Sequence, residues 1–241
     1  MKKLLVVILL LFIVVVSILG YLGFVPIVSS VFGSNKPKNL GIKYTLEDKK
    51  TAVEKLGIKY DQLSAKETAE KGLVLKGSHP VDKLLTSQEL TALADTRQKQ
   101  FALFPFKNVQ IRINTDNTIE GSAILEFNTA LNYLLTLGVP LEQINQAVDK
   151  FKILRGELPV YLKVSGEVAN NSSNVTVKSA EIARIPIPQS LVNKYGPSLN
   201  NLVEDIISQR RPNHDIKSLK VENGQVHFVG SSPDEELARG K

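Results

Sequence analysis

After Met1-Lys2-Lys3 the chain runs for 22 residues, Leu4 to Val25, without a charge. A helix of about 20 apolar residues crosses the hydrocarbon core of a bilayer. The run is longer than the roughly 7–15 residues of a signal-peptide core. Val28-Ser29-Ser30 offers a weak cleavage site, so a removed signal is the alternative reading. The expectation is an uncleaved signal anchor over residues 1–25, contacting the lipid bilayer through Leu4–Val25. No later hydrophobic run is long enough to span. Lys2 and Lys3 favour an inside N-terminus, whereas Lys36, Lys38 and Lys43 pull the other way. Long domains translocate largely regardless of charge, so the body is expected on the extracytoplasmic side of a single-pass cell-membrane protein.

The absence of cysteine removes disulfides, thiol nucleophiles and thiolate metal sites, and suits an extracytoplasmic bacterial domain. The formal charge is +6, of which Lys2 and Lys3 supply two, leaving +4 on the rest. That is a mild excess with no interleaved basic and aromatic positions, so nucleic acid is not an expected partner.

Pro26 to Asn39 contains Gly33, Ser34 and Pro37 and reads as a linker (26–39). Leu40-Gly41-Ile42-Lys43-Tyr44 then recurs sixteen residues on as Leu56-Gly57-Ile58-Lys59-Tyr60. Thr45 with Asp48, and Ser64 with Glu67, look like helix N-caps, while Gly57 and Gly72 look like stops. Residues 40–75 are thus expected to form a small two-helix region, each helix entered by an extended LGIKY hook.

From Val81 the pattern changes. Thr86-Ser87-Gln88-Glu89 opens a helix to about Gln98. Asn108–Asn114 and Thr118–Phe127 alternate as a hairpin around Thr115-Asp116-Asn117. Thr129–Leu137 and Leu141–Leu154 read as helices. Leu158–Val168 and Val175–Ile185 form a second hairpin with a turn over 170–174. A long helix follows from Gln189 to Gln209, interrupted near Gly196-Pro197. Ile216–Glu222 and Gln225–Gly230, joined by Asn223-Gly224, make a third hairpin. The expected class is α+β: an antiparallel sheet of three long hairpins packed on or wrapping helices (81–230), preceded by the transmembrane helix and the small helical region. Residues 231–241 are expected to be a loose, charged tail.

Chemistry is sparse. No phosphate loop, GxSxG elbow or HExxH is present. His79, His214 and His227 lack a neighbouring triad pattern, and His227 should face solvent, opposite Val226 and Phe228. Asn114, Asp116, Thr118 and Glu120 alternate oxygens as a calcium loop would, but a hairpin turn uses the same residues. Glu204 and Asp205 are adjacent on a helix and diverge. No catalytic residue, metal or cofactor is expected.

The Leu85-Thr86-Ser87-Gln88-Glu89-Leu90 opening, the hairpins and the strand end Ile182-Ala183-Arg184-Ile185-Pro186-Ile187-Pro188 resemble membrane-anchored envelope proteins of Gram-positive-type bacteria. The order of long hairpins around a long helix is similar to the lipid-binding superfamily of the bactericidal/permeability-increasing protein type. That resemblance spans Val81 to Gly230 and implies a curved sheet wrapping a helix, with an apolar groove for acyl chains and no catalytic residues. Independently, a lipid groove needs more inward apolar positions than the core consumes. The candidates are Ile111, Ile113, Leu125, Phe127, Val160, Leu162, Val164, Val177, Ile182, Leu199 and Val203; ordinary core is the competing reading for each. The expected function is non-catalytic binding of a lipid-like or other hydrophobic molecule at the cell envelope. The alternative is an interaction module that scaffolds an envelope protein assembly through the LGIKY hooks.

Overall fold

The structure is a computed structural model and describes residues 10–17, 35–64, 72–137, 139–142, 144–145 and 156–241. Of the uncharged N-terminal run, residues 10–17 are helical, with Leu10–Val15 exposed, and the rest lies outside the described residues. Among the described residues no helix is long and apolar enough to cross a membrane.

The class is α+β with mostly antiparallel sheets. Helix α1 (Leu46–Leu56) begins at a reciprocal cap: Thr45 N donates to Asp48 Oδ2 at 2.7 Å, and Asp48 N donates back to Thr45 Oγ1 at 3.2 Å. It stops at Gly57, whose φ of 65° is left-handed. A Cβ there would lie 2.5 Å from His79 Nε2, so the stop is enforced sterically as well. The two LGIKY copies do not form equivalent hooks. The first lies outside regular structure, whereas the second ends α1 and opens strand β1 (Lys59–Gln62). The expected second helix falls on residues 65–71, outside the described residues.

Strand β2 (Leu73–Lys76) leads to β3 (His79–Leu85), a strand the sequence reading did not anticipate. Helix α2 (Ser87–Gln100) opens on the Thr86–Glu89 capping box. The first hairpin is β4 (Phe106–Ile113) and β5 (Ile119–Glu126). Phe127, expected to end a strand, instead begins helix α3 (Phe127–Thr136). The expected helix Leu141–Leu154 is described only at 141–142 and 144–145, both helical. The second hairpin joins β6 (Glu157–Ala169) and β7 (Ser172–Ile182). Its turn is tighter than 170–174: Asn170 and Asn171 adopt φ of 50° and 65°, a two-residue left-handed turn that asparagine tolerates. After the short β8 (Ile185–Pro186), α4 (Gln189–Arg210) runs through Pro197 without the expected interruption. Strands β9 (Asp215–Glu222) and β10 (Gln225–Ser232) turn at Asn223-Gly224, with φ of 52° and 73°.

The final residues are not loose. They form β11 (Glu235–Ala238), parallel to β1 on one side and antiparallel to β2 on the other. Apolar and polar side chains alternate too weakly there to announce a strand; pairing on both edges supplies the order that local pattern lacks.

The large sheet runs β3-β10-β9-β6-β5-β4, with β7 on the opposite edge of β6 and β8 on β7. Strand β6 is long enough to pair β5 over its first half and β9 at Val168–Ala169. By strand alternation Leu162 and its partner Ala180 share one face, and Tyr161 and Glu181 share the other. The C-terminal half of α4 seals the first face: Val203 and Ile207 join Val81, Val168, Ile216 and Phe228 in the core.

Candidate ligand groove

Helix α4 spans 22 residues, about 33 Å at the usual rise, and its two halves do different things. The C-terminal half is packed down on β9 and its neighbours. Between the N-terminal half and the β6–β7 ribbon lies a groove of about 770 Å³. Leu162, Val177, Ala180 and Ile182 form its sheet wall. Leu191, Val192, Tyr195, Leu199 and Leu202 form the helix wall, with Ile187 just ahead of the helix. Leu134 at the end of α3, Val139 and Ile144 close a third side.

Polar side chains set the spacing of helix and ribbon. Asn200 accepts from Val175 N at 2.9 Å and donates to Val175 O at 3.0 Å, mimicking the strand that β7 lacks on this edge. Its Oδ1 also accepts from Ser173 Oγ at 2.7 Å. One turn on, Glu204 accepts from Ser172 Oγ and Ser173 N. Those bonds, led by the Ser173 amide, hold the Glu204 carboxyl below its ordinary range. Ser198, Asn201, Glu204 and Asp205 contribute the polar lining. Glu204 and Asp205 thus meet at one groove wall, with Glu204 committed to β7.

Of the sequence candidates, Leu162, Val177, Ile182 and Leu199 line this groove. Ile111, Ile113, Leu125, Val160 and Val164 lie on the same sheet face by register, half-buried, outside the groove. Val164 instead borders a cleft of about 90 Å³ where β5 and β9 part along β6. Phe127 is displaced to α3, and Val203 belongs to the core. The sequence reading missed Leu134, Val139, Ile144, Ile187 and Tyr195 as lining residues. The stripe Leu191, Leu199 and Leu202 was visible at helical spacing, but periodicity cannot tell a core from an empty groove.

The titratable clusters elsewhere are structural in their contacts. Asp116 accepts from Thr118 N at 3.1 Å and from Lys163 at 3.2 Å, and Asn114 donates to Thr118 Oγ1, so the alternating oxygens are held by the turn itself. Among the described residues no His, Asp and Glu group is arranged to hold a metal. His227 donates from Nδ1 to Glu222 at 2.6 Å and from Nε2 to Asp82 at 2.7 Å. Two carboxylate acceptors require both ring protons, and the bonds to Asp82 and Glu222 raise the imidazole above its ordinary value. His214 is stacked on Phe228 with ring centroids 5.7 Å apart. Burial, then Arg210 and Arg97, push it down to about 4. Glu236, 3% exposed, pairs with Arg97 at 2.8 Å beside the Tyr60 ring.

No protein-family model, curated protein or solved structure matches the chain.

Proposed function

We propose that the chain is a membrane-tethered extracytoplasmic protein whose α+β body binds a lipid-like or other hydrophobic molecule without transforming it. The observation that carries this reading is the groove between α4 and the β6–β7 ribbon. Its volume lies within the range of small-molecule sites, about 300–1,000 Å³, and its walls are dominated by aliphatic side chains. Such a surface gains about 25 cal/mol for each Å² of apolar ligand it removes from water. A few polar groups at one wall fix orientation, as is usual for apolar sites. The uncharged run Leu4–Val25, long enough for a signal anchor, supports the tether.

The test is native mass spectrometry and lipid extraction of the full chain, compared with an Ala180→Trp variant that fills the groove opposite Leu162. The wild-type chain should retain a hydrophobic molecule. The variant should bind about tenfold more weakly, equivalent to about 1.4 kcal/mol, with an unchanged thermal melt. Equal retention by both proteins, or none by either, would remove the groove as the binding site.

A further inference from the structure

The chain that leaves the N-terminal run is pinned at one rim of the sheet. Leu40 N donates to Gln110 Oε1 at 2.8 Å. Lys38 Nζ lies 2.8 Å from Glu181 and 3.9 Å from the Tyr161 ring centroid. Arg184 donates to Lys36 O at 3.2 Å. Residues 36–40 therefore cross the sheet face opposite the groove and reach the rim at Arg184, in the turn between β7 and β8. That turn is flanked by Ile182 and Ile187, both groove-lining. The surface beside it is apolar: Ile185, Leu191 and Tyr195 are exposed. Lys36 and Lys194 add exposed positive charge, and Lys194 Nζ lies 5.5 Å from the Tyr195 ring centroid.

Ten residues lie between Val25 and Lys36, which makes eleven Cα–Cα steps. Fully extended they reach about 38 Å. A body of roughly 200 residues has a radius of gyration of about 17 Å, hence a diameter of roughly 40 Å. A tether no longer than the body, attached at this rim, keeps the rim towards the membrane.

We infer that the Ile185–Leu191–Tyr195 rim docks on a bilayer surface bearing anionic headgroups, so that the groove opens onto the leaflet from which the chain emerges. The apolar rim enters the interfacial layer, and Lys36 and Lys194 meet the headgroups. A ligand then passes between leaflet and groove without crossing water. This orientation rests on the proposed anchor and groove.

The chain contains no cysteine, so single cysteines report cleanly. The full chain carrying Ile185→Cys, Tyr195→Cys or Lys83→Cys, labelled with an environment-sensitive dye, is reconstituted into phosphatidylcholine–phosphatidylglycerol vesicles with brominated acyl chains. Lys83 is exposed on β3, four strands from β7, roughly 19 Å across the sheet. The labels at 185 and 195 should be blue-shifted and quenched several-fold more than the label at 83. Adding Lys36→Glu with Lys194→Glu should reduce that difference. Equal quenching at all three positions overturns the orientation. Lipid retained by the same preparations is measured separately. Retention with equal quenching removes the docking and leaves the groove reading standing, whereas no retention removes both. If one labelled variant shows an altered thermal melt, the other rim position decides.

Discussion

Two histidines give the protein opposite pH responses. His227 is held above its ordinary value by Asp82 and Glu222. Its contribution is therefore complete below about pH 6.5 and is lost as pH rises through the raised value. The urea midpoint should fall between pH 6 and pH 9, and His227→Gln should flatten that limb. His214 behaves in reverse. Neutral in the fold and pushed down to about 4, it leaves stability intact above about pH 6.5 and erodes it as pH falls towards 4. The full loss is about 3 kcal/mol, read as an acid limb in the same titration that His214→Leu should blunt. Buried Glu236 is a third case. Glu236→Gln strands Arg97 beside Tyr60 and should cost about 3–5 kcal/mol by chemical denaturation, partly recovered by Arg97→Met in the same chain. Strand alternation at Val226 and Phe228 revealed which way His227 points. Glu222 sits just across the predicted Asn223-Gly224 turn, whereas Asp82 comes from β3, 145 residues away, so no local pattern could disclose it.

Helices cover two edge strands of the large sheet, β4 and β7, with side chains that imitate a missing strand. On β4, Ile113 N donates to Ser87 Oγ at 2.9 Å and Ile111 N donates to Thr91 Oγ1 at 3.0 Å. On β7, Asn200 and Glu204 do the same from α4. Exposed edges invite pairing with other chains, and these contacts occupy them. Asn200→Leu removes three bonds and leaves the Val175 amide and carbonyl unpaired. It should cost about 1–3 kcal/mol and raise hydrogen exchange at Ser173 and Val175 before it affects β9. The element boundaries were legible where chemistry is local. The caps at Thr45 and Thr86, the stop at Gly57 and the turn at Asn223-Gly224 all stand where spacing put them. Strands β3 and β11 were not legible, because their pairing partners are remote in sequence. Pro197 was misleading for a related reason: packing of α4 against β7 and the core outweighs the loss of one backbone donor.

At the scale of the whole molecule, hydrophobic alternation identified the correct sheet face without showing what covers it. Leu162, Val177 and Ile182 meet the groove, while Ile111, Ile113 and Val160 lie further across the same face. The difference comes from the path of α4, which descends onto Val168 and Phe228 at its far end and stands off β6 and β7 at its near end. A ligand filling that space stabilises only the folded state. On the proposed function, removing a bound lipid should therefore lower the melting temperature, and readdition at 100 times Kd should restore about 2.7 kcal/mol.

Strand β11 carries a consequence for biogenesis. It sits between β1 and β2, which precede it by some 160–175 residues, so this small sheet has no central strand until residues 235–238 have been made. The early strands must wait, unpaired with each other, for residues 235–238 to arrive. A stop codon just ahead of Glu235 would strike β1 and β2 as hard as it strikes β11 itself.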